Sequence, residues 1–189
     1  MSTNNRSTAV NSGLRVFGSV RIMILAALFT AMSIVFDKFL AVNIGDSIRI
    51  GLGGLPLQMA GIMLGPAVGA AVGGVSDIIG CLLKGYSINP VITLGAISVG
   101  FISGLMFHKG LASMDKALLP RIALSTVTAH MVGSMLIKSI GMFLYFHTPM
   151  QTLVLRVPIY IVTAAIETAI IYFLMRNKAF MNELERVRR

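Results

Sequence analysis

Apolar residues in this chain fall into six runs separated by short polar or basic breaks: Val16–Phe36, Ile50–Leu64, Ala67–Leu83, Val91–Phe107, Ile122–Tyr145 and Val157–Met175. Most approach the ~20 consecutive apolar residues that a helix needs to cross a bilayer. The runs are too long, and alternate too little, for barrel strands. Lipid offers no partner to unsatisfied backbone groups, so helices are the remaining way to span it. The second and third runs are short and meet at Gly65-Pro66, which predicts a helical hairpin whose turn barely leaves the membrane. The expected fold is an all-α integral membrane protein with six transmembrane helices. Its spanning domain covers residues 16–178, between an N-terminal tail at 1–15 and a basic C-terminal tail at 179–189.

Composition sharpens the choice of solvent. The chain is 56% hydrophobic and 12% charged, against roughly 45–50% and about 25% in soluble domains. A water-soluble chain of 189 residues has too little interior to hide that much apolar surface. The sixteen Lys and Arg against seven Asp and Glu would suit nucleic acid if they formed a patch, but they stand between the apolar runs and at the chain ends, as membrane proteins place them. With the N-terminus inside, eleven basic residues fall on the cytoplasmic side: Arg6, Arg15, Arg21, Lys109, Lys116, Arg121, Arg176, Lys178, Arg186, Arg188 and Arg189. Four fall outside (Lys38, Arg49, Lys84, Arg156), and Lys138 lies within the fifth run. That bias predicts both termini in the cytoplasm. The first run follows basic residues as a secretory signal would, but five more runs follow it and no small-residue cleavage site is evident, so it reads as a retained helix. The single cysteine, Cys81, excludes an internal disulfide framework.

Gly61, Gly65, Gly69 and Gly73 repeat the small-xxx-small spacing that lets membrane helices approach closely. Gly51-Leu-Gly-Gly superficially resembles a phosphate-cradling loop, yet no Lys-Ser/Thr follows it and no strand is predicted before it. Helix packing is the better account.

Asp77, Lys138 and Glu167 are ionisable residues inside the runs, where charge is costly and usually faces a bundle interior or a wet cavity. At ~1.5 Å rise per residue all three fall between the midplane and the outer half. Asp46, Arg49, Lys84 and Arg156 lie above them, and Tyr86, Asn89, Thr93, Tyr145, Gln151 and Tyr160 flank the same side. An outward-facing polar pocket is the expectation. The rival reading is a structural ion pair between Lys138 and Asp77 or Glu167, with His130 as a helix-packing residue. No cluster has metal-ligand spacing and no nucleophile-base set is present, so neither an enzyme nor a bound cofactor or metal is expected. A proton-relaying secondary transporter or channel, and a ligand-free membrane scaffold, are the alternatives of other classes. No internal repeat supports the first of them.

The run Ile48-Arg-Ile-Gly-Leu-Gly-Gly-Leu-Pro56, then Ala60-Gly-Ile-Met-Leu-Gly-Pro66, Val75-Ser-Asp-Ile-Ile-Gly80 and Gly85-Tyr86 resembles the substrate-binding membrane subunits of energy-coupling factor transporters, most of all their folate-type branch. Asn89-Pro90, Thr93-Leu-Gly95 and Leu155-Arg-Val-Pro-Ile-Tyr160 are similar as well. The chain departs from that branch after Tyr86, where Ser87-Ile-Asn-Pro90 replaces a more aromatic segment. The resemblance implies a six-helix subunit of the plasma membrane that captures a vitamin, folate above all, from outside. It also implies a transmembrane coupling protein and two cytosolic ATPases as partners. A folate needs a carboxylate for the donor edge of its pterin, a platform for the ring and cations for its glutamate tail. Asp77 suits the first, Tyr86 or Tyr160 the second, and Arg49, Lys84 or Arg156 the third, with Asn89, Thr93, Lys138 and Glu167 completing the candidate set. In the family an alanine pair on the first helix docks onto the coupling protein, and Ala27 and Ala31 occupy those positions.

Overall fold

The computed structural model describes residues 19–39, 41–44, 48–114, 117–147 and 149–188. Helix α1 (Val20–Lys38) is followed by a short antiparallel ribbon, β1 (Val42–Ile44) and β2 (Ile48–Ile50), in which Asn43 pairs with Arg49. Then come α2 (Gly54–Leu64), α3 (Pro66–Lys84), α4 (Pro90–Leu105), α5 (Leu118–Ala129), α6 (Lys138–Phe146), α7 (Met150–Arg176) and α8 (Lys178–Arg188). The ribbon qualifies the all-helical expectation: the second apolar run begins in strand β2, and glycines at 51, 53 and 54 delay the helix to Gly54.

Among the described residues five helices are long and apolar enough to cross a membrane: Val20–Asp37, Pro66–Lys84, Pro90–Gly110, Leu118–Tyr145 and Arg156–Arg176. The 11 residues of α2, at ~1.5 Å each, span about half of the ~30 Å hydrocarbon layer. Every residue from Leu55 to Leu64 is buried, because α1, α3 and α4 surround this helix. A helix apolar on all sides belongs in such an interior position.

Close approach is what glycine contributes here. A Cβ on Gly61 or Gly69 would collide with the carbonyl oxygen of Gly100 on α4, and one on Gly100 with that of Gly69. Helices α2, α3 and α4 therefore meet backbone to backbone. Gly65, grouped with them by spacing, does something else: it turns the chain between α2 and α3 at φ 109°, with no atom near its missing side chain.

Between α5 and α6 the rod continues as a π-helical stretch, His130–Ile137, and the Lys138 N–H reaches the Gly133 carbonyl five residues back. Such widened turns cluster at functional sites. The C-terminal segment is not a free tail. Leu184 is buried, Phe180 and Met181 pack with it against the core, and Arg21 at the start of α1 donates to the Arg186 carbonyl at 3.2 Å.

Candidate functional site

Helices α1, α2, α3, α4, α6 and α7, the π stretch and the loop entering α2 line a cavity of about 270 Å³, just below the ~300 Å³ at which the range for small-molecule sites begins. Ile34, Leu57, Ile92, Ala96 and Val99 give it aliphatic walls, and Tyr160 and His130 supply rings. Asp37, Asp77, Lys138 and Arg156 bring charge to the lining, with Ser33, Ser76, Ser134 and Thr163 as hydroxyls. This is the mixture by which proteins hold a small, partly charged organic molecule.

Local sequence explains how each group is fixed. Pro90 opens α4 at a position where its missing N–H costs nothing. Asn89 caps that helix, its side-chain oxygen accepting from the N–H groups of Val91 at 3.0 Å and Ile92 at 3.4 Å. The first turn thus places Thr93, whose hydroxyl donates to Asp77 Oδ2 at 2.7 Å, so that the carboxylate is held against α4. On α1, Ser33 donates to the Gly53 carbonyl at 2.8 Å, and Asp37, one turn further on, lies so near that a Cβ on Gly53 would stand 2.8 Å from its own Cβ. These contacts seat the glycine loop on the cavity. Lys138 follows directly from the π stretch, and Arg156 on α7 donates toward the sulfur of Met142, one turn beyond Lys138.

Behind the lining lies a polar knot. His130 Nε2 is 2.5 Å from Glu167 Oε2. Gln58 Nε2 donates to the same oxygen at 2.8 Å and stands 2.8 Å from that ring nitrogen. On the other side of the ring, His130 Nδ1 pairs with Ser134 Oγ at 3.3 Å. Glu167 and Gln58 are both 0% exposed, and His130 is 5% exposed. A carboxylate so deep in apolar surroundings requires partners.

The structure brings Asp77, Lys138, Arg156 and Tyr160 together in the cavity lining, with Thr93 and Asn89 directly behind Asp77 and Glu167 behind His130. Among the described residues no ion pair joins Lys138 to Asp77 or Glu167; the partner of Glu167 is His130. Lys84 and Tyr86 are not part of the cavity: Tyr86 is 62% exposed, with the Lys84 ammonium 5.9 Å from its ring centre. Lys84 is the last residue of α3, and Tyr86 follows the left-handed cap at Gly85, φ 67°, that ends the helix. The Arg49 and Gln151 side chains and all of Asp46 lie outside the described residues. Asp37, Ser33 and Gln58 were not singled out by sequence. Gln58 carried a legible signal, as the one polar side chain in the apolar stretch Leu55–Leu64, whereas Asp37 at the end of its run resembled an ordinary helix terminus. Ala27 and Ala31 are both exposed on α1, beside exposed Ile24 and Leu28.

Residues 21–176 match the family described as "ECF transporter, substrate-specific component". The folate transporter FolT of Clostridium novyi (strain NT) is 36% identical over 102 residues, which are 53% of this chain and 58% of that protein. The fold is also that of two solved structures. One is described as the crystal structure of FolT bound with folic acid, with TM-score 0.67, 21% identity, and 82% of this chain and 92% of that one covered. The other is described as the S component of a bacterial ECF transporter, with TM-score 0.63, 16% identity, and 82% and 93% covered. With five span-length apolar helices wrapped around a polar cavity and the family match running through all of them, the chain is a multi-pass membrane protein that belongs to the substrate-specific components of ECF transporters.

Proposed function

We propose that this subunit captures folate from outside a bacterial plasma membrane and delivers it inward through a transmembrane coupling protein driven by two cytosolic ATPases. The observation that carries the reading is the lining of the cavity. Asp77, steadied by Thr93, offers an acceptor to the amino and imino donors of a pterin. Tyr160 offers a ring face, and Lys138 and Arg156 offer two cations for carboxylates. The partial match to a relative named as a folate transporter supports the same substrate. Asp37 extends the acceptor side, from α1. Tail recognition by Arg49 belongs to the same proposal. Lys84 and Tyr86 have no place in it, being outside the cavity.

Six helices with both termini inside remain the preferred topology, with α2 and α3 forming the hairpin. The contact between Arg21 and the Arg186 carbonyl supports it, since it sets the start of α1 and the final helix at one end of the bundle, the end that the basic residues favour. The exposed face carrying Ala27 and Ala31 is the docking surface for the coupling protein, where small side chains permit close helix contact.

The direct experiment is to purify the protein after expression in rich medium, release any bound ultraviolet-absorbing compound with acid, and identify it by mass. Recovery of a folate supports the assignment. Recovery of a different vitamin reassigns the substrate within the same family.

A further inference from the structure

The geometry points to His130 as a ligand-contacting residue that presents the face of its ring, with Glu167 as the positioning residue that holds the ring in place. This rests on the reading that the cavity binds a vitamin, and it narrows the ligand to one with a planar aromatic ring. Both ring nitrogens are already committed within the protein. Nε2 faces Glu167 Oε2 at 2.5 Å and Gln58 Nε2 at 2.8 Å, and Nδ1 faces Ser134 Oγ at 3.3 Å. Whatever proton arrangement the imidazole adopts, neither nitrogen is left over for a ligand. The Cε1 edge faces Gly54, where an added Cβ would stand 3.3 Å away. His130 nevertheless lines the cavity, so what it offers there is ring face and carbon edge.

That face does not stand alone. The Tyr160 ring lies 5.8 Å from it, centre to centre, tilted by only 30°, and Tyr160 lines the same cavity. The cavity they share is also lined by the aliphatic side chains of Leu57, Ile92, Ala96 and Val99. A flat ring entering it would stack on the aromatic rings and meet alkyl groups around them. Stacking of this kind benefits from a platform that is already immobile, because no rotamer freedom is lost on binding. A polar contact at each ring nitrogen, to Glu167 and to Ser134, at 5% exposure, gives that immobility. A buried, costly carboxylate beside a binding cavity is thereby explained by what it holds still.

The test uses the purified full chain in detergent, titrated with folic acid, riboflavin, thiamine and the ringless pantothenate, with binding followed by calorimetry and by the absorbance of the bound vitamin. Two double variants share a neutralised background so that both are expected to fold: His130→Phe/Glu167→Gln keeps a flat ring, and His130→Leu/Glu167→Gln does not. An aromatic vitamin binds the wild type with a shifted absorbance band. The Phe variant keeps the shift and binds within about threefold of wild type, while the Leu variant loses the shift and binds at least about tenfold more weakly. For the positioning role, Glu167→Gln keeps the shift and Glu167→Ala loses it. Equal binding by the two double variants, a Glu167→Ala protein with a full shift, or binding of pantothenate alone would overturn the proposal. If riboflavin or thiamine rather than folic acid gives the expected pattern, the folate assignment falls and the stacking role stands. If folic acid binds all the variants alike, the reverse holds.

Discussion

His130 Nε2 lies 2.5 Å from Glu167 Oε2, and both residues sit within the membrane-spanning part of the chain, Glu167 with no exposed surface at all. Removing one member of such a pair leaves the other buried without its partner, which typically costs about 3–5 kcal/mol. His130→Leu alone should therefore lower the thermal midpoint of the purified protein by more than the double variant His130→Leu/Glu167→Gln does. A single variant at least as stable as the double would contradict that coupling.

A second prediction concerns the junction at Gly61, Gly69 and Gly100. Because a Cβ at Gly69 would meet both the Gly100 carbonyl and, at 2.6 Å, the Cα of Gly61, Gly69→Val must force α2, α3 and α4 apart. Overpacking of that kind costs typically 1–3 kcal/mol or more. Gly65→Ala probes a different term, the positive φ of the turn, with no steric clash. Thermal unfolding in detergent should show Gly69→Val as the more damaging of the two, and the opposite order would contradict the packing described.

Asp77 and Thr93 give a third. Asp77→Asn removes the charge that the Thr93 hydroxyl and a ligand donor share, so folic acid binding should weaken by about 1.5–3 kcal/mol. Thr93→Val removes only the hydrogen bond at 2.7 Å and should cost less, about 0.5–1.5 kcal/mol. Calorimetric titration separates the two, and a folded Asp77→Asn protein with unchanged affinity would make Asp77 structural.

The exposed pair on α1 gives a fourth. Ala27→Trp or Ala31→Trp fills the proposed docking face without touching the cavity, since both residues point away from the core. Ligand binding by the isolated subunit should survive, while co-purification with the coupling protein fails. Loss of ligand binding as well would mark the pair as internal packing, and normal assembly would place the docking face elsewhere.

Much of this architecture is written in the sequence because lipid is a demanding solvent. Long apolar runs such as Val91–Phe107 have few ways to satisfy their backbones, and the corresponding helix α4 begins one residue earlier, at Pro90. The hairpin at Gly65-Pro66 was legible for the same reason, and Asp77, Lys138, Arg156 and Tyr160, the candidates that line the cavity, stand out as polar groups in apolar stretches. Contacts between distant segments were not. Pairing of Glu167 with His130 rather than Lys138 depends on how α7 faces the π stretch, 37 residues away in sequence, and hydropathy does not report rotation about a helix axis. The exposure of Tyr86 was hidden too, since it follows one left-handed residue, Gly85, and hydropathy does not report where the chain goes after a helix cap. The ribbon was hidden by its size: two strands of three residues each, Val42–Ile44 and Ile48–Ile50, are too short for their alternation to stand out beside the long apolar runs on either side.

Capture of folate by this cavity, through its ring and its carboxylates together, is tested by one comparison. Folic acid and a pterin lacking the glutamate tail are titrated into the wild type, Lys138→Ala and Arg156→Ala by calorimetry. Folic acid should bind the wild type more tightly than the pterin does. At least one of the two cation variants should lose that advantage, by about 1.5–3 kcal/mol for a charged hydrogen bond, while pterin binding stays as it was. Failure of the wild type to bind folic acid, or cation variants that bind folic acid as tightly as the wild type, would contradict it.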